Sequence, residues 1–180
     1  MARNHEVTER HNLLNPDGTL AEPGWSKSLI QIYNREDIAA PKFRIKEWDY
    51  YLILCDKHAV ALTLSDDGYI GMQSASLLVF DDENPWEHTN SVLNFFPMGK
   101  YKLPRTSESG DIHYHDKTLD MDFVNDGRTR HIYGEYRNFK DKKSLKVISP
   151  LNSRRWTPWL LPHHGKKTKR RFITIRKSTA

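Results

Sequence analysis

Cysteine is almost missing: the 180 residues hold one, Cys55. No internal disulfide can form, and a lone thiol in an apolar strand is expected to be a small buried hydrophobe. A chain built without disulfides suits a reducing cytoplasm. Long hydrophobic runs are also missing. None approaches the roughly 18 apolar residues of a membrane-spanning helix, so no membrane span is expected. The opening MARNHEVTERHN lacks the apolar core of a signal peptide. Cytoplasmic location is the resulting expectation. There is no glycine-rich phosphate loop, no nucleophile elbow and no Cys/His zinc pattern. No cofactor is therefore expected.

Acidic residues are missing from one stretch. Lys166 to Ala180 carries seven of the 28 basic residues and no acid, leaving 21 basic against 23 acidic residues elsewhere. The net charge of +5 thus belongs to the tail, and the body is slightly acidic. Lys166-Lys167-Thr168-Lys169-Arg170-Arg171 has the composition of a nuclear-localisation or nucleic-acid patch. Nucleic-acid binding through it would depend steeply on salt and ranks last among the functional readings.

What is present is a chain of one-domain length, too aromatic for disorder at 11% Phe, Trp and Tyr. Asn15-Pro16-Asp17-Gly18 and Glu22-Pro23-Gly24 are turn signals, so residues 1–23 read as an irregular arm. Ser26 to Asn34 suits either a short helix or a strand. From Lys42, Phe43 and Ile45 alternate with Arg44 and Lys46, and then both faces turn aromatic at Trp48-Asp49-Tyr50-Tyr51. Ala59 to Ser65 is a return strand, Asp66-Asp67-Gly68 a hairpin turn, and Tyr69 to Phe80 a further strand. Gly71 marks a bulge or a close approach. Trp86 to Phe96 carries Val92, Leu93, Phe95 and Phe96. Leu119, Met121 and Phe123 alternate with Asp120 and Asp122, and turns at Asn125-Asp126-Gly127 and Asp141-Lys142 extend the pattern into an antiparallel meander. The fold class is mostly β, with roughly seven to nine antiparallel strands and little helix. Closure into a barrel or barrel half is the economical way to hide so many edges. The expected organisation is an arm (1–23), an antiparallel β domain (24–162) and a basic tail (163–180).

Candidate chemistry is sparse. Trp48, Tyr51, Tyr69 and Trp86 supply aromatic surface for the wall of an apolar pocket. Glu47 and Asp49 are the carboxylates that would act as acids if the protein is an enzyme. Ordinary core packing is the competing reading of the same aromatics. His113 and His115 share one strand face, but no third ligand is identifiable beside them, Asp111 and Asp116 reading as solvated neighbours. No metal site is therefore assigned. His163-His164 points its imidazoles apart, and Glu87 with His88 beside Trp86 reads as a loop edge.

His5-Glu6-Val7-Thr8, Gly24-Trp25-Ser26, Tyr33-Asn34-Arg35 and the run Arg44-Ile45-Lys46-Glu47-Trp48-Asp49-Tyr50-Tyr51 resemble the N-terminal half of the domain-of-unknown-function 2804 family. That resemblance implies a lipocalin-like β-barrel domain, distantly similar to carotenoid hydratase and tocopherol cyclase type proteins, with an apolar ligand of the lipid or isoprenoid class. The alternative it implies is an enzyme of the hydratase or cyclase type. It carries no catalytic residues over. Members are longer, so a missing C-terminal half is an expected partner, and the chain alone is expected to self-associate through open apolar edges. The end of the chain departs from the family pattern, which reads FYYNQKINC where this sequence reads FITIRKSTA. The string TTTTATTACAATCAGAAAATCAACTGC encodes the first in frame and the second from its second base. The tail is therefore expected to be a frameshift product.

Overall fold

The computed structural model describes residues 5–105, 109–152, 156–163 and 171–178, with the backbone alone from 151 onward. The chain divides into two compact units, Met1–Pro41 and Lys42–Ala180. The first is irregular, as its turn residues dictate. Isolated bridges join Glu6 to Trp25, Asn12 to Ile32 and Leu14 to Leu20. Ile32 donates to the His11 carbonyl at 2.8 Å and accepts from the Leu13 amide at 2.9 Å. Ser26 to Asn34 is thus neither helix nor strand. Val7, Leu13 and Leu14 are buried within this unit. Residues 24–41 pack with the arm. A 3-10 turn, Arg35–Asp37, is capped by the Asn34 side chain, which accepts from the Glu36 amide.

The second unit is a set of antiparallel strands. One sheet has the order β1-β2-β3-β4, formed by Glu47–Leu54, His58–Asp66, Ile70–Val79 and Trp86–Phe95. Another has the order β5-β6-β7-β8, formed by Ile112–His115, Leu119–Asn125, Thr129–Lys140 and Lys143–Asn152. β9 (Trp156–His163) and β10 (Arg171–Ser178) form a hairpin. The protein is mostly β, and no helix among the described residues is long and apolar enough to cross a membrane. Each four-stranded sheet is open, its order running between two distinct edge strands. Neither four-stranded sheet closes on itself into the expected barrel.

The core lies between the two sheets, because period-two alternation aims one face of each inward. Tyr51, Leu62 and Leu64 come from the first sheet, and Ile112, Leu119, Met121, Phe123 and Ile132 from the second. The Tyr51 and Phe123 rings meet edge to face at 4.7 Å. A Cβ added to Gly134 on β7 would sit 3.0 Å from Leu62 on β2. The turns fall where their residues require. Gly68 has φ +80, and Asp141 and Lys142 adopt φ 51 and 63 between β7 and β8.

Two local expectations need refining. Cys55 is exposed, not buried. β1 stops at Leu54, so Cys55 opens the turn whose amide bonds the His58 carbonyl at 2.8 Å. Gly71 is a close approach and not a bulge, since Gly71 pairs in regular register with Asp66 and Asn94. A Cβ there would lie 2.7 Å from the Tyr101 hydroxyl and 3.2 Å from Pro97. The register shift falls on β7 instead, between Tyr136 and Lys140. Gly71→Val is expected to destabilise the protein by about 1–3 kcal/mol, the usual range for overpacking. Chemical denaturation measures it, and Tyr101 must move for the valine to fit.

Candidate functional site

The fourth strand is built the opposite way to its neighbours. His88, Asn90, Val92 and Asn94 face the interior, while Leu93 and Phe95 face water. A slip by one residue would reverse this, but the inward polar groups hold the register. Asn94 Nδ2 donates to Gln73 Oε1 at 2.6 Å and to the Tyr114 hydroxyl at 3.1 Å. Asn90 Nδ2 donates to the Phe139 carbonyl, and His88 Nε2 lies 2.9 Å from the same oxygen. The Tyr114 hydroxyl in turn donates to Asp116 at 2.8 Å, and burial is the main cause that pushes its pKa up to about 12. Moving the strand would take the asparagines away from Gln73, Tyr114 and the Phe139 carbonyl, at about 1–3 kcal/mol for each buried group left without its partner.

The chain then stays at this surface. The Phe96 amide donates to the Tyr69 carbonyl at 2.9 Å, and the Met98 amide to the Gly68 carbonyl at 3.1 Å. Phe96 and Met98 both adopt left-handed backbone, with φ 54 and 48. Such conformations cost of order 1–3 kcal/mol each and persist only where the surroundings over-determine them. Two anchors do so here. Buried Asp66 accepts from the Gly68 amide at 2.9 Å and the Gly99 amide at 2.6 Å. Tyr101 lies over Gly71 and meets the Tyr114 ring at 5.9 Å.

The product is an exposed apolar surface. Phe95 is 74% exposed and Phe96 63%. Tyr69, Met98 and Phe43 are also exposed, and their backbones meet in the same region, the Phe43 backbone lying within 2.7 Å of a Cβ built on Gly68. Basic residues flank it in sequence: Lys42, Arg44 and Lys46 on one side, Lys100 and Lys102 on the other. Lys46 Nζ stands 4.8 Å from the Tyr69 ring centroid and 3.8 Å from Asp67. Burial holds the Asp67 carboxyl above its ordinary range, against the pull of Lys46. An exposed apolar patch of this kind on a folded protein commonly marks an interaction site.

Residues 4–174 match the model of a family described as Domain of unknown function (DUF2804). The chain belongs to this family. Comparison with curated proteins and with solved structures gives no match. In this DUF2804 chain, the residues picked out by the sequence do not converge on one pocket. Tyr51 is buried in the core, and Arg130 donates to its hydroxyl. Trp48 belongs to the other face of β1, by the alternation of that strand. Tyr69 and Trp86 stand at opposite ends of β3, since Ile70 pairs with Phe95 and Val79 with Trp86. That separation is roughly 30 Å at the rise of a strand. Trp86 carries Lys140 over its ring at 4.0 Å.

Asp49 is 3% exposed on the core face and Glu47 is partly buried, and both have interaction partners. Glu87 and His88 alternate in burial, so they do not form a pair. His164 and the basic run from Lys166 to Arg170 lie outside the described residues. Of the four wall candidates, only Tyr69 belongs to the exposed surface. Phe43, Phe95, Phe96 and Met98 were missed. Their signal lies in Asn90, Val92 and Asn94, whose polar members alternate with Leu93 and Phe95 and set the phase opposite to the one hydrophobicity suggests.

Proposed function

We propose that the β unit binds an apolar molecule of the lipid or isoprenoid class on the surface formed by Phe43, Tyr69, Phe95, Phe96 and Met98. An acidic head group would face Lys42, Lys100 and Lys102. The observation that carries this reading is the reversed fourth strand, whose satisfied inward amides hold Leu93 and Phe95 in water. The basic flanks favour an anionic amphiphile over a neutral one.

The enzyme reading, with Glu47 or Asp49 protonating an alkene or opening a ring, is less well supported. A general acid must reach its substrate, and Asp49 lies inside the core. Nucleic-acid binding through the basic tail has no described side chain behind it.

The test is calorimetric titration of the whole chain with dodecanoate and with dodecanol. Phe95→Ser/Phe96→Ser is expected to weaken dodecanoate binding about 100-fold, because burying two phenyl rings is worth roughly 3 kcal/mol or more. Lys100→Gln/Lys102→Gln should weaken dodecanoate and leave dodecanol unchanged. Equal binding by the Phe variant and the parent chain, or no binding of either probe, would overturn the proposal. If the parent self-associates and the Phe variant does not, a second copy is the occupant.

A further inference from the structure

On the outer face of the second sheet lies a cluster that the apolar-surface reading does not use. β5 alternates Ile112 and Tyr114, buried, with His113 and His115, exposed. β6 alternates Leu119, Met121 and Phe123, buried, with Asp120 and Asp122, partly exposed. The hairpin register sets His113 directly opposite Asp122, and His115 opposite Asp120. Two imidazoles and two carboxylates therefore share one face. His113 Nδ1 lies 2.6 Å from Asp122 Oδ1, and His115 Nε2 lies 3.0 Å from the same oxygen. The two rings stack at 6.5 Å with 15° between their planes.

We propose that His113, His115 and Asp122 form a site for one divalent transition-metal ion of the zinc class, with Asp120 as the positioning residue behind His115. The three ligand atoms lie within 4.8 Å of one another. Tetrahedral ligands on bonds of about 2.0–2.1 Å stand about 3.4 Å apart, a distance the exposed imidazoles reach by small side-chain rotations. Two imidazole nitrogens and a carboxylate suit zinc, nickel or copper better than calcium or magnesium, which prefer oxygen alone.

A second, independent arrangement supports the assignment. Metal-binding histidines usually give their other ring N–H to a carboxylate, which fixes the tautomer and the ring orientation. His115 Nδ1 lies 3.2 Å from Asp120 Oδ1, and the other oxygen of Asp120 accepts from the Arg137 guanidinium. Arg137 Nη1 also donates to the Asp116 carbonyl at 3.1 Å, which fixes the guanidinium that holds Asp120. This leaves Nε2 of His115 as the nitrogen that faces His113 and Asp122. Three protein ligands leave a fourth position open, the pattern of reactive zinc sites and not of purely structural ones. In the first unit, His5 and His11 approach opposite oxygens of Glu22 instead, so they do not share one ligand atom.

The test titrates the whole chain with Co(II), read by its visible absorption bands, and competes it with Zn(II). One Co(II) per chain is expected, displaced by one Zn(II). His113→Gln/His115→Gln should weaken binding by more than about 100-fold, and Asp120→Asn by about 10–100-fold with the stoichiometry kept, the usual loss when the carboxylate that orients a metal-binding imidazole is removed. His5→Gln/His11→Gln should leave the affinity unchanged. The altered side chains at 113, 115 and 120 point out of the core, and thermal melts check that each variant folds. Co(II) affinity that is unchanged in the folded His113/His115 variant, or lost in the His5/His11 variant, would overturn the proposal. So would millimolar or weaker binding by the parent chain.

Discussion

Replacing Phe123 with alanine is expected to lower the unfolding free energy by about 3–5 kcal/mol, the usual cost of emptying a buried phenyl site. Phe123 is 1% exposed and comes from β6, while its edge-to-face partner Tyr51 comes from β1. The ring thus holds the two sheets against each other. Collapse around the cavity is resisted by Leu119 and Met121, which are fully buried beside it on the same strand face. Phe80, 45% exposed at the end of β3, is the control. Its alanine variant should stay within about 0.5 kcal/mol of the parent, as surface changes do. Urea denaturation measures both. A loss below about 1 kcal/mol at Phe123 would mean that the two sheets do not share one core.

Asp66→Ala is expected to cost about 3 kcal/mol or more, since hydrogen bonds to a charged acceptor are worth roughly 1.5–3 kcal/mol each. Two backbone amides lose their acceptor at once. One belongs to Gly68 in the β2–β3 turn, the other to Gly99 in the loop that carries Phe96 and Met98. The left-handed backbone at Phe96 and Met98 then relaxes, because one of its two anchors is gone. Dodecanoate binding should fall although no surface residue has changed. Asp66→Asn keeps one carbonyl oxygen and should fall between parent and alanine variant in both stability and affinity. If Asp66→Ala lowers stability and leaves affinity intact, the loop conformation is not what presents the apolar surface.

Much of the fold can be read from residues whose period and turns agree. Leu119, Met121 and Phe123 alternate with aspartates, Asn125-Asp126-Gly127 turns, and the meander follows. The same hairpin logic reaches the histidine cluster. Once Lys117-Thr118 is taken as the two-residue turn, with Asp116 closing on Leu119, His113 must pair with Asp122. A search restricted to the sequence neighbours Asp111 and Asp116 misses it.

The fourth strand resists this kind of reading for a physical reason. Leu93 and Phe95 face out while Asn90 and Asn94 face in beside Val92, so hydrophobicity alone assigns the wrong face. The inward amides are explained only by Gln73, Tyr114 and the Phe139 carbonyl, which arrive from distant parts of the chain. Cys55 fails for a simpler reason: β1 ends one residue before it, and strand ends are the least certain part of a pattern. Barrel closure came from the economy of hiding edges and from the family resemblance. Neither specifies how the strands of two separate meanders pair.

The surface around Tyr69, Phe95, Phe96 and Met98 is proposed to receive an apolar molecule. Backbone amide NMR of the whole chain during a dodecanoate titration tests it most directly. The amides of Phe43, Gly68, Tyr69, Phe95, Phe96 and Met98 to Lys102 are expected to shift first and saturate together, while those of β6 and β7 stay in place. Shifts confined to the inter-sheet core around Tyr51 and Phe123, with the amides of Phe95, Phe96 and Met98 to Lys102 unmoved, would contradict the proposal.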